Sequence, residues 1–252
     1  KEYRRQRQMC IRDRYDIFLD KPEPLVPRPW RHGITERVDA QGQVLTPLDE
    51  AQVVALAGEL TRAGVESVAV CLLHSYAYPD HERRIRELLR EHAPQLWVSL
   101  SSDVCAEIRE YPRLSTVSAN AYVQPQVSGY LRRLNEAARQ RGLRGEPFLM
   151  TSGGSIATLQ TGVDEPVRLV ESGPAGGAIL AQHIAEQTGA ARALSFDMGG
   201  TTAKICYIDD FEPQVSRSFE FGRVHRHLKG SGLPIRIPVS YTHLTLPTIL
   251  LV

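Results

Sequence analysis

Between Ala193 and Lys204 the chain reads Ala-Leu-Ser-Phe-Asp-Met-Gly-Gly-Thr-Thr-Ala-Lys. An apolar run, the pattern of a buried strand, delivers Asp197 at its end. Gly199 and Gly200 allow a tight turn and let backbone N–H groups approach an anion. Thr201, Thr202 and Lys204 follow, each able to donate to phosphate oxygens. The carboxylate of Asp197 suits a hydrated Mg²⁺ that bridges those phosphates. The order is strand–turn–strand, unlike the strand–turn–helix of a Walker loop, and no G-x-x-x-x-G-K-[ST] string occurs. A plain β-hairpin with a Gly-Gly turn has the same pattern, so this string alone leaves both readings open.

Two further glycine-rich turns support the phosphate reading. Ser152-Gly153-Gly154-Ser155 follows a predicted strand over Pro147–Thr151. Glu171-Ser172-Gly173-Pro174-Ala175-Gly176-Gly177 opens a predicted helix over Pro174–Gln187, and a helix N-terminus attracts anions. Gly176 and Gly177 could equally serve close helix packing. Other candidates are weaker. His225 and His227 would share a strand face, but no acid or cysteine completes a metal set. His74 and His81 read as locally satisfied histidines. Cys71 and Cys206 fall in apolar strands as packed thiols. Cys105 lacks a histidine partner in sequence, and no G-x-S-x-G elbow is present.

The elements that must position these residues follow from periodicity and punctuation. Four prolines between residues 15 and 33 predict an extended segment. Ile34–Val38 reads as a strand and Asp39-Ala40-Gln41-Gly42 as a turn. Thr46-Pro47-Leu48-Asp49 reads as a helix start, with the helix running to Ala63. Val65–Leu73 is a continuous apolar run expected as a strand covered on both faces. A helix over Asp80–His92 and a strand over Leu96–Leu100 follow. Residues 112–142 read as two helical pieces split at Gln124-Pro125. Ala193–Asp197, Ala203–Ile208, Gln214–Phe221 and Leu233–Val239 complete the strands. This alternation predicts an α/β architecture with a mostly parallel sheet, and no repeat of 20–50 residues is present.

Composition bounds the function classes. The 252 residues carry a formal charge of +1, 42% hydrophobic and 23% charged residues, an ordinary globular balance. No stretch of 18 apolar residues suggests a membrane span. Four cysteines without a C-x-x-C pair argue against a disulfide framework or zinc site and fit a reducing cytoplasm. The ends differ from the middle. Residues 1–14 hold six bases and two acids, while 240–252 hold no charge. Both read as translated adapter sequence at the edges of an assembled fragment, a non-native arm and tail to be left out of fold reasoning. Subtracting the arm's +4 from the total leaves −3 on 15–239, which argues against a nucleic-acid partner.

Six colinear strings resemble the hydantoinase A / 5-oxoprolinase family, and most nearly its N-methylhydantoinase A-like subunits. They are Thr35-Glu-Arg-Val-Asp-Ala-Gln-Gly; Cys71-Leu-Leu-His-Ser-Tyr with Asp80-His-Glu-Arg-Arg; Ser118-Ala-Asn-Ala-Tyr-Val; Met150-Thr-Ser-Gly-Gly-Ser-Ile; Glu171-Ser-Gly-Pro-Ala-Gly-Gly; and Phe196-Asp-Met-Gly-Gly-Thr-Thr-Ala-Lys. The resemblance implies a partial actin-like ATPase fold of the sugar kinase, Hsp70 and actin type. On that scheme 15–145 is the C-terminal part of the family's N-terminal domain, and 146–239 begins its ATPase domain with the second phosphate loop. The implied cofactors are ATP and Mg²⁺, with Asp197 catalytic and on the metal. Gly199, Gly200, Thr201, Thr202, Lys204, Ser152, Gly153, Gly154, Gly173 and Gly176 would line the nucleotide site. The implied activity is ATP-dependent opening of a hydantoin or 5-oxoproline-type ring, with a hydantoinase B-type partner subunit. An amide is a poor electrophile, and phosphorylating the lactam oxygen would activate it. The same family includes ATP-dependent acetone and acetophenone carboxylase subunits, a second reading; a non-catalytic actin-like nucleotide-binding module is a third. The family's opening D-x-G-G-T-x-T-D loop is absent here. The chain therefore reads as an internal fragment with one wall of a two-walled site, expected to have negligible ATPase activity alone.

Overall fold

The computed structural model of the chain describes residues 24–199, 203–216, 219–221, 232–239 and 242–244. The basic arm, His225, His227 and all of the 240–252 tail except 242–244 lie outside the described residues. After a 3-10 turn at Arg28–Trp30, strands β1 (Arg37–Val38) and β2 (Val44–Thr46) pair antiparallel. Asp39 closes their turn, its Oδ1 accepting from the N–H groups of Gln41 and Gln43 at 2.9 and 2.8 Å. Helix α1 (Glu50–Arg62) starts later than the Thr46-Pro47 string predicts. Thr46 is consumed as a strand residue paired with Arg37, and Asp49 is the cap, accepting from the N–H of Gln52 at 3.0 Å.

Strand β3 (Ser67–Val70), helix α2 (Asp80–His92) and strand β4 (Trp97–Leu100) form a right-sized βαβ unit. The strands pair in parallel from Ser67↔Trp97 to Val70↔Leu100. One face carries α1 and α2, whose Val53, Ala57, Leu60, Ile85, Leu88 and Leu89 close a core with Val70 and Leu100. The other face carries α4 (Glu110–Gln140), after the short α3 (Ser101–Val104). The expected two-face coverage of this apolar run is what the structure has. The expected split of 112–142 is not: α4 is one helix of 31 residues with Pro125 inside it. Proline forfeits one backbone bond, but tertiary contacts on the flanking turns hold the helix. The carbonyl of Val163 accepts from Ser128 Oγ at 2.7 Å, that of Asp164 accepts from Gln124 Nε2 at 3.0 Å, and the N–H of Val167 donates to Asn120 Oδ1 at 3.1 Å.

Beneath α2, Glu82 is completely buried and fully used. Oε1 accepts from the Leu72 N–H at 2.8 Å and the Ser101 hydroxyl at 2.7 Å, and Oε2 accepts from the Ser102 N–H at 2.9 Å. Arg113 is equally buried, donates to the carbonyls of Leu72 and Glu107, and lies 5.6 Å over the Tyr76 ring.

The rest of the chain is built of hairpins. Strands β5 (Phe148–Met150) and β6 (Ile156–Thr158) pair antiparallel, followed by α5 (Leu159–Asp164), a 3-10 turn at Pro166–Leu169 and α6 (Ser172–Thr188). Strands β7 (Arg192–Met198) and β8 (Ala203–Asp209) pair antiparallel, with β9 (Glu212–Pro213) and β12 (Thr242–Leu244) also on β8. Strands β10 (Phe219–Phe221) and β11 (Leu233–Ile235) form another pair, and Ser216 bridges Val239. The expected mostly parallel sheet is therefore corrected. Among the described residues only β3–β4 is parallel, its two strands joined through α2, while the other pairs are antiparallel. The α/β class stands. Among the described residues no helix is long and apolar enough to cross a membrane.

Candidate functional site

The β7–β8 hairpin delivers the sequence-predicted residues. Its register pairs Phe196 with Ile205, Asp197 with Lys204 and Met198 with Ala203. Directly opposed residues share a face, so Ala193, Ser195 and Asp197 lie with Lys204, Cys206 and Ile208. This is the face turned to α6, since Cys206 shares a core with Ala178 of that helix. Asp197 is exposed at the strand end, immediately before Gly199. Gly200, Thr201 and Thr202 lie outside the described residues.

Helix α6 begins two residues earlier than predicted, at Ser172. Its N-cap, Glu171, has φ 65 and ψ 23, a left-handed conformation that costs a residue with a side chain about 1–2 kcal/mol. Glu171 makes no side-chain cap bond, so among the described residues the N–H groups of Ser172 and Gly173 remain open to an anion. Instead the Glu171 carboxylate makes an ion pair with Lys204 Nζ. The two side chains are 23% and 17% exposed, enough burial for the pair to escape most salt screening. Glu171 thus belongs to the site although the residue types alone gave it no role. The only sequence signal was its place at the head of the Ser-Gly-Pro string.

The remaining predicted residues divide. Gly173 sits in the first turn of α6 with open space where a Cβ would lie. Gly176 faces Met150 Cγ at 3.9 Å, which is helix packing on β5. In the β5–β6 turn, the Ser152 hydroxyl and N–H both donate to the Arg168 carbonyl, at 2.6 and 2.8 Å. Gly153 lies under Pro238, where a Cβ would come within 3.2 Å, and Gly154 has φ +81. In this tight turn the Ser152 donors, and the Gly154 N–H that donates to the Thr151 carbonyl at 3.0 Å, are already used inside the chain.

The chemistry available is a carboxylate, an ammonium held by a second carboxylate, and an uncapped helix start. The three charged groups sum to −1, so a polyphosphate would need an added cation. Among the described residues no cluster of three His, Cys, Asp or Glu is present. A hydrated Mg²⁺ carried in on phosphates and held by one carboxylate fits this donor set better than an all-protein metal cage. The other candidates fall away on geometry. His81 Nδ1 is 2.7 Å from Glu36 Oε2, as expected of a satisfied histidine. His74 differs: it has φ 59, and its buried Nδ1 has no partner. Burial raises the thiol pKa of Cys105 and, likewise, that of Cys206, which disfavours the thiolate a nucleophile needs.

The family model described as Hydantoinase/oxoprolinase matches residues 113–244, and that described as Hydantoinase/oxoprolinase N-terminal region matches 1–93. An uncharacterised protein of Methanocaldococcus jannaschii is 37% identical over 89% of this chain and 33% of its own length. The caprolactamase subunit alpha of Pseudomonas jessenii is 30% identical over 83% of this chain and 30% of its own. The crystal structure of the ATP-dependent caprolactamase from that organism superposes with a TM-score of 0.77 at 27% identity, over 96% of this chain and 34% of that one. The nucleotide-free structure of acetone carboxylase, solved in work on ATP-dependent acetone carboxylation, gives 0.76 at 25% identity, also over 96% and 34%. The chain spans about a third of the length of these relatives.

Proposed function

The chain belongs to the hydantoinase/oxoprolinase family, and from that premise we propose that it is part of a cytoplasmic enzyme that spends ATP to open a five-membered cyclic amide of the hydantoin or 5-oxoproline type. The observation that carries the reading is the β7–β8 register. It sets Asp197, which immediately precedes the Met-Gly-Gly-Thr-Thr string, opposite Lys204, and Lys204 is paired with Glu171 at the start of α6. Asp197 holds Mg²⁺. Gly199, Gly200, Thr201 and Thr202 supply donors to phosphate oxygens, Lys204 adds positive charge, and the α6 N-terminus with Gly173 faces the same anion. ATP supplies the activation that an unreactive amide lacks. The chain's own contribution is to bind and orient the phosphates and to balance their charge.

On this reading the polypeptide takes an actin-like arrangement, with 15–145 completing a first lobe and 146–239 opening a second. A hydantoinase B-type subunit is the proposed partner, as the caprolactamase relative is itself named as a subunit. A second reading, an ATP-dependent ketone carboxylase subunit, is favoured by the superposition on acetone carboxylase.

The test uses the full-length protein with its partner subunit. ATP consumption is measured with a hydantoin, 5-oxoproline or another lactam, and separately with bicarbonate plus a ketone. Turnover with a cyclic amide, abolished by Asp197→Ala, is the expected result. Turnover only with bicarbonate and ketone selects the second reading. Nucleotide binding without turnover in either mixture points to a non-catalytic module. Unchanged turnover in Asp197→Ala overturns the site assignment.

A further inference from the structure

Arg113, in the first turn of α4, is wholly buried. Its two Nη groups donate to the carbonyls of Leu72 and Glu107, and its guanidinium lies 5.6 Å from the centre of the Tyr76 ring. Among the described residues no carboxylate pairs with it, and its Nε–H has no acceptor. The buried Glu82 carboxylate, which takes the Leu72 N–H, is already occupied by three donors. A buried cation is ordinarily paired.

Arg113 Nε does not stand alone. Of the four buried side-chain polar atoms without a hydrogen-bond partner among the described residues, three gather here: Arg113 Nε, Ser102 Oγ and His74 Nδ1. The Ser102 N–H donates to the same Glu82 carboxylate that holds Leu72, and the His74 ring lies 6.3 Å from that of Tyr76. The segments 71–79 and 101–109 follow the carboxyl ends of the parallel strands β3 and β4, where open α/β sheets place their ligands. Each segment carries a non-glycine residue in the left-handed region, His74 at φ 59 and Arg109 at φ 79. Such positions cost energy and cluster at ligand clamps.

We propose that the junction of 72–76, Ser102 and Arg113 is a binding site for a small monocarboxylate. The carboxylate oxygens accept from Arg113 Nε, Ser102 Oγ and His74 Nδ1, and the single negative charge balances the buried guanidinium. Phosphate is disfavoured, because it is recognised by the two-pronged fork of an arginine and both Nη prongs are spent on carbonyls. Entry is from the side of residues 106–109, all exposed, where the Glu107 carbonyl is held by Arg113 at 3.4 Å, a weak contact that parts easily. No residue of the phosphate-loop reading takes part.

The experiment is calorimetric binding of acetate and of 5-oxoproline to the full-length protein without nucleotide. The controls are 2-pyrrolidinone, the same ring lacking the carboxylate, and inorganic phosphate. Both carboxylates should bind, 2-pyrrolidinone should not, and phosphate should bind more weakly than either. Ser102→Ala should weaken both carboxylates about tenfold, the scale of a hydrogen bond to a charged group, with Tm unchanged or raised, since the hydroxyl it removes holds nothing among the described residues. His74→Asn tolerates the left-handed backbone but removes the ring, and should weaken binding by a similar factor with Tm near the wild-type value. Arg113→Gln should cause the largest loss, about a hundredfold. Because Arg113 also holds two carbonyls, the decisive variants are Ser102→Ala and His74→Asn. Carboxylate binding that is absent in the wild-type protein, or unchanged in both of these variants, overturns the proposal. So do equal binding of 2-pyrrolidinone, tighter binding of phosphate, and a loss of binding that both variants show only together with a fall in Tm.

Discussion

The β3–β4 layer and the β7–β8 hairpin use strand residues of similar type to opposite ends. β3–β4 is covered on both faces, by α1 and α2 on one side and α4 on the other, and the buried Glu82 carboxylate beside it is met by donors of the chain itself. Among the described residues β7–β8 is covered by α6 on one face. On the other, Leu194, Phe196 and Met198 are 66%, 59% and 63% exposed, with Tyr207 and Ile205 beside them on β8. A contiguous apolar face of this kind marks a surface that another element covers. The candidate site lies at the end of this half-covered sheet, while the closed layer acts as scaffold.

The contrast can be broken at several points. The largest effect is expected in the closed layer. Glu82→Ala strands the N–H groups of Leu72 and Ser102 and the Ser101 hydroxyl in a buried place, and should cost about 3–5 kcal/mol in urea unfolding. A loss under 1 kcal/mol would show that water replaces the carboxylate and that the layer is not closed. Leu100→Ala, in the same core, should cost about 2–4 kcal/mol. Phe196→Ser, on the open face of β7, should stay within about 0.5 kcal/mol in this chain but destabilise the full-length protein by several times that. Equal effects in the two contexts would mean that nothing covers the open face.

Smaller effects come from titratable groups. The thiols of Cys105 and Cys206 have raised folded-state pKa values through burial. The unfolded state therefore loses its protons first as pH rises, and stability should fall on going above the ordinary thiol range. A thiol reagent at pH 8 should modify half-buried Cys71 well before either. Early labelling of Cys105 would contradict the packing. The smallest change should follow Arg84→Met, which removes the surface pair with Glu50 between α1 and α2. That hydrogen-bonded pairing lowers the Glu50 carboxyl pKa. Its contribution is present above the ordinary carboxylate value, lost as pH falls through the lowered one, and should vanish in high salt.

Much of this was legible in the chain itself. The alternation of helix and strand through residue 100, the Asp39 turn, the start of β8 and the placing of Asp197 in a strand that pairs with β8 follow from short-range chemistry. Three features were not. Pro125 locally argues for a break, yet Gln124 and Ser128 bond across to 163–164 and keep α4 whole. Thr46-Pro47 has the form of a helix start, yet strand pairing claims Thr46 and passes the cap to Asp49. Ser152 has the form of a phosphate donor, yet its donors are used by Arg168, sixteen residues on. In each case a partner distant in sequence outbid the local preference.

The sequence by itself determined which residue types can meet a phosphate and a cation, and where glycine lets the backbone turn, because those properties belong to single residues and near neighbours. Tertiary structure alone decided that Lys204 is held by a glutamate 33 positions earlier, that Glu82 gathers donors from Leu72 after β3 and from the start of α3, and that among the described residues one sheet is covered on both faces and the other on one. Those outcomes depend on how elements pack, and burial changes the strength of a charge far more than its place in the chain.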